Sequence, residues 1–240
     1  MALDILEISL LARLILAHLL ADFVFQNRSM VKDRFENKWH SKWLYIHGII
    51  AGLLAYALSG VYGYIWLFIA YTIAHILIDG FKSTRKDDLK WFVLDQLAHL
   101  ITIIVLWSVI AGPETILTGF EPLPWNGTDI WVLLVAYTIA IWPSGILIGK
   151  FTEPWHHDKD GNEGEGLLNA GLWIGRLERF LLLTFVLLEQ YQAIGLLVTA
   201  KSIFRFTTDR KVSEYILIGT LLSFTIAVLV GIITKWLVDI

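Results

Sequence analysis

Long apolar runs, separated by short polar and mostly basic stretches, set the pattern of this chain. Residues 43–78 contain no Asp, Glu, Lys or Arg. A helix needs about 20 mainly apolar residues to cross hydrocarbon, so this run predicts two short helices. Ser59-Gly60-Val61-Tyr62-Gly63 supplies the turn between them. Further spans are predicted at 5–25 (interrupted by Arg13), 96–113 (ending at Pro113), 130–149, 167–190 and 215–234. Pro143 should kink the 130–149 span. Residues 191–206 read as a short span or a re-entrant segment. The expectation is an all-α, polytopic helical membrane bundle of seven to eight transmembrane helices, in two halves, 1–112 and 129–240.

Composition agrees with that pattern. Of 240 residues, 56% are hydrophobic and only 17% charged, against about a quarter charged in soluble domains. The mean hydropathy is +0.64. Such a chain is not expected to be a soluble enzyme or a disordered segment. It has no Cys, which excludes disulfides and thiolate-ligated zinc. A net charge of −3 argues against a nucleic-acid partner. The partner expected is the bilayer itself. Met1-Ala2-Leu3-Asp4 lacks a basic signal-peptide start.

Loop charge orients the bundle. The 27–42 stretch carries Arg28, Lys32, Arg34, Lys38 and Lys42, and the 80–90 stretch carries Lys82, Arg85, Lys86 and Lys90. Both should face the cytoplasm. The 112–128 stretch has Glu114 and Glu121 and no Lys or Arg, so it should face outward, with the N-terminus outside.

Against this apolar background the polar residues of the first four spans carry the chemistry. His18, Asp22 and Gln26 follow at i, i+4 and i+8; His75, Asp79 and Lys82 at i, i+4 and i+7; Asp95 and His99 at i, i+4; His47 lies in the second span. Residues four apart share a helix face. Imidazole and carboxylate together suit Zn, Mn or Fe(II). We therefore expect one or two divalent ions, Zn or Mn, held by His18, Asp22, His47, His75, Asp79, Asp95 and His99. Gln26, Gln96 and Lys82 would orient those ligands or a substrate. By loop charge, all of these groups lie toward the cytoplasmic ends of their helices.

The first four spans also read as a parallel duplicated hairpin, residues about 5–58 and 61–112. Ala17-His18-Leu19-Leu20-Ala21-Asp22 parallels Ala74-His75-Ile76-Leu77-Ile78-Asp79. Each is followed by a basic loop and Lys-Trp (Lys42-Trp43, Lys90-Trp91), and four residues past the Trp come His47 and Asp95.

These stretches resemble a bacterial integral-membrane family known as domain of unknown function 3307. Its pattern is matched by His18-x3-Asp22-Phe23-x2-Gln26, by His47, by His75-x3-Asp79-x2-Lys82, and by Asp95-Gln96-x2-His99. The resemblance covers roughly residues 11–105. More distantly, the chain is similar to inner-membrane proteins described as metal-dependent hydrolases. The resemblance implies a multi-pass protein of the bacterial inner membrane.

In the second half, Gly171 and Gly175 have the spacing of close helix packing. Arg176, Arg179, Lys201 and Arg205 are candidates for contacting an anionic headgroup. The 150–166 stretch, with His156, His157 and Asp158, has metal-site residue types, which a solvated loop would equally contain. Arg13 has only Glu7 as a nearby counter-charge. The expected function is a metal-dependent membrane hydrolase at the cytoplasmic face, acting on a phosphorylated or acylated lipid-like substrate. Two alternatives stay open: a transporter of metal ions or protons, and a non-catalytic component with a structural metal.

Overall fold

A computed structural model describes residues 5–111, 127–155, 165–203 and 210–238. Among the described residues the regular structure is helical throughout. The first helix, α1 (Ile5–Phe23), is followed by α2 (Arg28–Asn37) and a 3-10 turn at Lys38–His40. Then come α3 (Lys42–Ser59), α4 (Ile65–Ser83), α5 (Leu89–Ile110) and α6 (Thr128–Ile141). The rest is α7 (Pro143–Thr152), α8 (Glu165–Leu187), α9 (Tyr191–Ile203) and α10 (Arg210–Val238).

Local chemistry sets the breaks. Asn27 caps α2, its side chain accepting the Met30 N–H at 2.9 Å, and Asp88 caps α5 by accepting the Trp91 N–H at 2.9 Å. Gly60 ends α3 with φ 75°, the left-handed conformation that a side chain disfavours. The predicted kink at Pro143 is a full break, with Trp142 outside both flanking helices and Pro143 opening α7. Pro143 has no N–H for the Ile139 carbonyl, and the Ser144 hydroxyl donates to it instead, at 2.7 Å.

Among the described residues, five helical stretches are long and apolar enough to cross a membrane: Lys42–Ser59, Ile65–Ser83, Leu89–Ile110, Thr128–Thr152 and Leu217–Val238. A sixth is reached if Ile8–Phe23 and Arg28–His40, bent by 80°, make one broken span. The 27–42 stretch, read from sequence as a loop, is thus largely helical. The 191–206 stretch, which reads as a short span or a re-entrant segment, contains α9, whose 13 residues reach about 20 Å of the roughly 30 Å of hydrocarbon.

The chain divides into two compact units, Met1–Val135 and Ala136–Ile240. In the first, α1 packs on α3 and α5, and α4 packs on the same two helices. Helix α4 shows how this half is built inside out. Leu67, Tyr71, His75, Asp79 and Ser83 recur every four residues and are buried; Ile65, Ile69, Ile73 and Leu77 form the opposite stripe and are 52–58% exposed. Charge points in and aliphatic surface points out, the arrangement a hydrocarbon solvent requires.

Two glycines bring α3 against α4. A Cβ on Gly48 would stand 2.3 Å from Ile76, and one on Gly52 would stand 1.9 Å from the Thr72 hydroxyl and 2.9 Å from the Phe68 carbonyl. The close packing expected at Gly171 and Gly175 lies here instead. A Cβ on Gly171 meets nothing within 4 Å, and one on Gly175 meets only the Arg179 guanidinium.

In the second unit, α8 packs on α7, α9 and α10. Arg179 is its buried centre. Its Nε donates to the Ala140 carbonyl at 2.5 Å, its Nη2 to the Ile141 carbonyl at 3.1 Å and its Nη1 to the Ser223 hydroxyl at 3.4 Å. The break before Pro143 frees those two carbonyls, and the guanidinium satisfies them. Arg179→Leu should therefore cost about 1–3 kcal/mol of stability for the groups left without donors, measured as a lower midpoint of thermal unfolding in detergent.

Candidate metal centre

The predicted ligands come from four helices and meet in the first unit. Helix α1 supplies His18 and Asp22, α3 supplies His47, α4 supplies His75 and Asp79, and α5 supplies Asp95 and His99. The glycines beside His47 let α3 approach α4 until His47 Nε2 and His75 Nε2 stand 3.0 Å apart. Asp22 Oδ1 lies 3.2 Å from each of those nitrogens, and Asp79 Oδ2 lies 3.5 and 3.6 Å from them. On the other side of His75, the ring of His99 lies 4.2 Å away between centroids, and His18 lies 4.8 Å from His99. His99 Nε2 is 3.7 Å from both Asp79 Oδ1 and Asp95 Oδ1. All four imidazoles are 5% exposed or less.

Three overlapping groups have donor atoms mutually within 4.8 Å: Asp22–His47–His75, His18–His75–His99 and Asp22–Asp95–His99. The first is the tightest. Its sides of 3.0, 3.2 and 3.2 Å approach the roughly 3.3 Å that separates ligands bonded at about 2.0–2.1 Å to a tetrahedral ion. Two imidazoles and one carboxylate are also a familiar donor set for zinc and iron.

Other donor atoms of the cluster lack partners. His18 Nδ1, His75 Nδ1, His99 Nε2 and Asp95 Oδ1 are buried without hydrogen-bond partners. A neutral imidazole has one N–H and one lone pair. Whichever tautomer His75 adopts, a donor or an acceptor is stranded at Nδ1, at about 1–3 kcal/mol.

Charge leads to the same conclusion. Asp22, Asp79 and Asp95 contribute −3. Arg34 pairs with Asp79, and Lys82 donates to Asp95 Oδ2 at 2.6 Å, together +2. The balance is −1 with neutral imidazoles, and it rests on Asp22, which among the described residues has no Lys or Arg partner. The Gln96 amide joins three groups: its Oε1 is 3.2 Å from His18 Nε2, and its Nε2 donates to Asp95 Oδ2 at 3.1 Å and Asp22 Oδ2 at 3.5 Å. Gln26 touches the cluster through Arg34, whose Nη2 donates to its Oε1 at 3.1 Å.

Arg34 is what sequence reasoning missed. It was counted among the loop charges, yet it lies on α2, 5% exposed, and turns inward onto Asp79. Trp39 helps to hold that segment, because Gly80 leaves room for its ring against α4. Tyr71 was also unforeseen. It is buried one turn before His75, with ring centroids 5.6 Å apart. Removing Arg34 alone strands the Asp79 charge, and Arg34→Leu should cost about 3–5 kcal/mol, whereas Arg34→Leu with Asp79→Leu should cost less. Unfolding midpoints of the two variants check this.

The cations of the second half have other partners. Arg179 is committed to the Ala140 and Ile141 carbonyls, which removes it from any headgroup contact. Lys201 pairs with Glu178, and Arg176 lies over Trp173 and Trp142, 5.3 and 6.0 Å from the ring centroids. Glu189 pairs with Lys235, which holds its carboxyl below the usual range. Arg13 lies in the first unit, 4.6 Å over the Trp131 ring. Arg205, the Glu7 side chain and residues 156–164 of the acidic stretch fall outside the described residues.

With this geometry in view, the chain compares with known proteins at one point. Residues 10–121 match the model of a family described as a protein of unknown function, DUF3307. That segment is similar to DUF3307. All seven candidate ligands, together with Arg34, Gln26, Lys82 and Gln96, lie within the DUF3307 segment. No curated protein and no solved structure matches the chain.

Proposed function

We propose that the protein is a metal-dependent hydrolase of a membrane amphiphile, with Asp22, His47 and His75 as the primary ligands. The observation that carries this reading is their near-equilateral triangle of donor atoms, 3.0, 3.2 and 3.2 Å on a side. Three protein donors leave coordination positions for water and substrate, as catalytic rather than structural zinc sites do. Bound there, a divalent ion would act as a Lewis acid toward water and toward a phosphoryl or acyl oxygen.

The chain's own residues prepare that chemistry. Arg34 and Lys82 pair with Asp79 and Asp95 and fix them in position. Gln96 orients Asp22 and His18. His18 and His99 group with His75, and Asp95 and His99 group with Asp22, so a second ion would share a ligand with the first. We further assign the two halves of the segment, about 5–58 and 61–112, to a parallel duplication, and the polar cluster to the cytoplasmic face of a bacterial inner membrane, with the N-terminus outside. Loop charge supports that orientation.

The test is mass spectrometry of the metal in detergent-purified protein, joined to hydrolysis assays on phosphorylated and acylated amphiphiles. At least one zinc or manganese per chain, and hydrolysis lost on chelation, are expected. Metal-free protein with intact fold rejects the reading. Metal flux into liposomes without hydrolysis would assign the cluster to transport instead.

A further inference from the structure

Beside the His–Asp cluster, between α4 and α5, lies a cavity of about 300 Å³, the low end of the range for small-molecule sites. Its walls include Phe81, Trp91, Leu94 and Ala98, and its polar groups are Lys82 and Asp95. Both helices are apolar enough to cross a membrane, and Phe81 and Leu94, 49% and 44% exposed, belong to their outer surfaces. The cavity is thus bounded by residues that also face outward, where hydrocarbon is the solvent.

One cation lines it and a second packs on its walls. Lys82 gives one donor to Asp95 and sits 5.4 Å over the Phe92 ring, with further N–H donors to offer. Arg85 is fixed at the rim by two of the walls, 4.5 Å over the Phe81 ring and 4.9 Å over the Trp91 ring. Those rings meet edge to face at 6.0 Å. The nearby Asp88 is turned away to cap α5. Lys82 therefore lines the apolar slot, and Arg85 packs on two of its walls. One of them, Lys82, is bonded directly to a carboxylate of the candidate metal centre.

We propose that this cavity binds a hydrocarbon chain of an anionic phospholipid-like amphiphile, with its headgroup against Lys82 and Arg85. As the substrate of the proposed metal centre, this ligand rests on the hydrolase reading. It narrows that reading to a lipid that enters sideways between α4 and α5, presenting its head beside Asp95.

Native mass spectrometry of the full chain, purified in detergent with equal phosphatidylglycerol and phosphatidylcholine, reads the bound lipid directly. The wild type should retain phosphatidylglycerol in preference. Ala98→Trp fills the slot and should remove that lipid. Arg85→Gln, at an exposed position, should lower phosphatidylglycerol retention about fivefold, the worth of one basic residue at an anionic lipid surface, with phosphatidylcholine unchanged. Metal content is measured on the same samples and should stay at the wild-type level in both variants. Equal retention of phosphatidylglycerol by the wild type and Arg85→Gln, or no preference in the wild type, overturns the proposal whatever the metal content. Preferential lipid retention lost in both variants supports it. If that protein also lacks metal, the lipid site stands and the hydrolase reading falls.

Discussion

His75→Ala is expected to strip the protein of its metal. His75 belongs, like His99, to two of the three donor groups, and its Nε2 lies within 3.6 Å of His47, Asp22 and Asp79. Loss of partners that only orient ligands typically lowers metal affinity 10–100-fold, so loss of a ligand should lower it by more than about tenfold. Asp22→Asn provides the sharper companion, because it keeps the shape and removes the charge. In metal-loaded protein it should be destabilising. A ligand at 100 times its dissociation constant contributes about 2.7 kcal/mol, and the variant forfeits that increment. In the presence of a chelator the sign should reverse. Asp22 is then, among the described residues, the buried carboxylate without a Lys or Arg partner, and neutralising it relieves the cost of an unmatched charge. Unfolding midpoints of both proteins, with and without chelator, check this crossing. Midpoints that shift in parallel would count against a metal at Asp22. Chelator should also leave His75→Ala unmoved.

Gly52→Val should damage the site without touching a ligand. Its Cβ would stand 1.9 Å from the Thr72 hydroxyl and 2.9 Å from the Phe68 backbone carbonyl, both on α4. The hydroxyl can rotate away, whereas the carbonyl is held in its helix. Helix α3 must therefore withdraw from α4, at an overpacking cost of about 1–3 kcal/mol. His47 withdraws with it, opening the 3.0 Å approach to His75. The expected result is lower stability together with reduced metal content by mass spectrometry. Gly171→Ala is the control. Nothing lies within 4 Å of its added methyl, so the variant should keep its metal and gain about 0.5–1 kcal/mol from better helix propensity. Full metal retention by Gly52→Val would show that α3–α4 contact does not set the ligand spacing.

Much of the fold and of the candidate centre was legible along the chain, for identifiable reasons. A charge or an imidazole inside an apolar run is conspicuous, and a spacing of four places two such groups on one helix face. That exposed His18 with Asp22, His75 with Asp79, and Asp95 with His99 as pairs. Turn and cap chemistry marked Gly60 and Pro143 in the same local way.

Features that depend on another helix were not legible. Arg34 sits among five basic residues in 27–42, and nothing local separates it from its neighbours. Only the 80° turn between α1 and α2 brings it over Asp79. Gly48 and Gly52 have the same spacing as Gly171 and Gly175, and nothing local tells the two pairs apart. Close approach needs a partner surface, and α4 supplies one to the first pair. Arg179 carried the charge of a headgroup contact until the break at Trp142 gave it two carbonyls to satisfy.

The sequence by itself determined a helical chain with spans apolar enough for a membrane, and which residue types within them would be costly to bury. Those properties follow from short-range periodicity and from transfer free energy, both of which are additive along a chain. Tertiary structure decided which of those costly groups meet, at what distance, and with which cation. Those outcomes depend on helix approach, and a missing Cβ on α3 and a bend after α1 set it here.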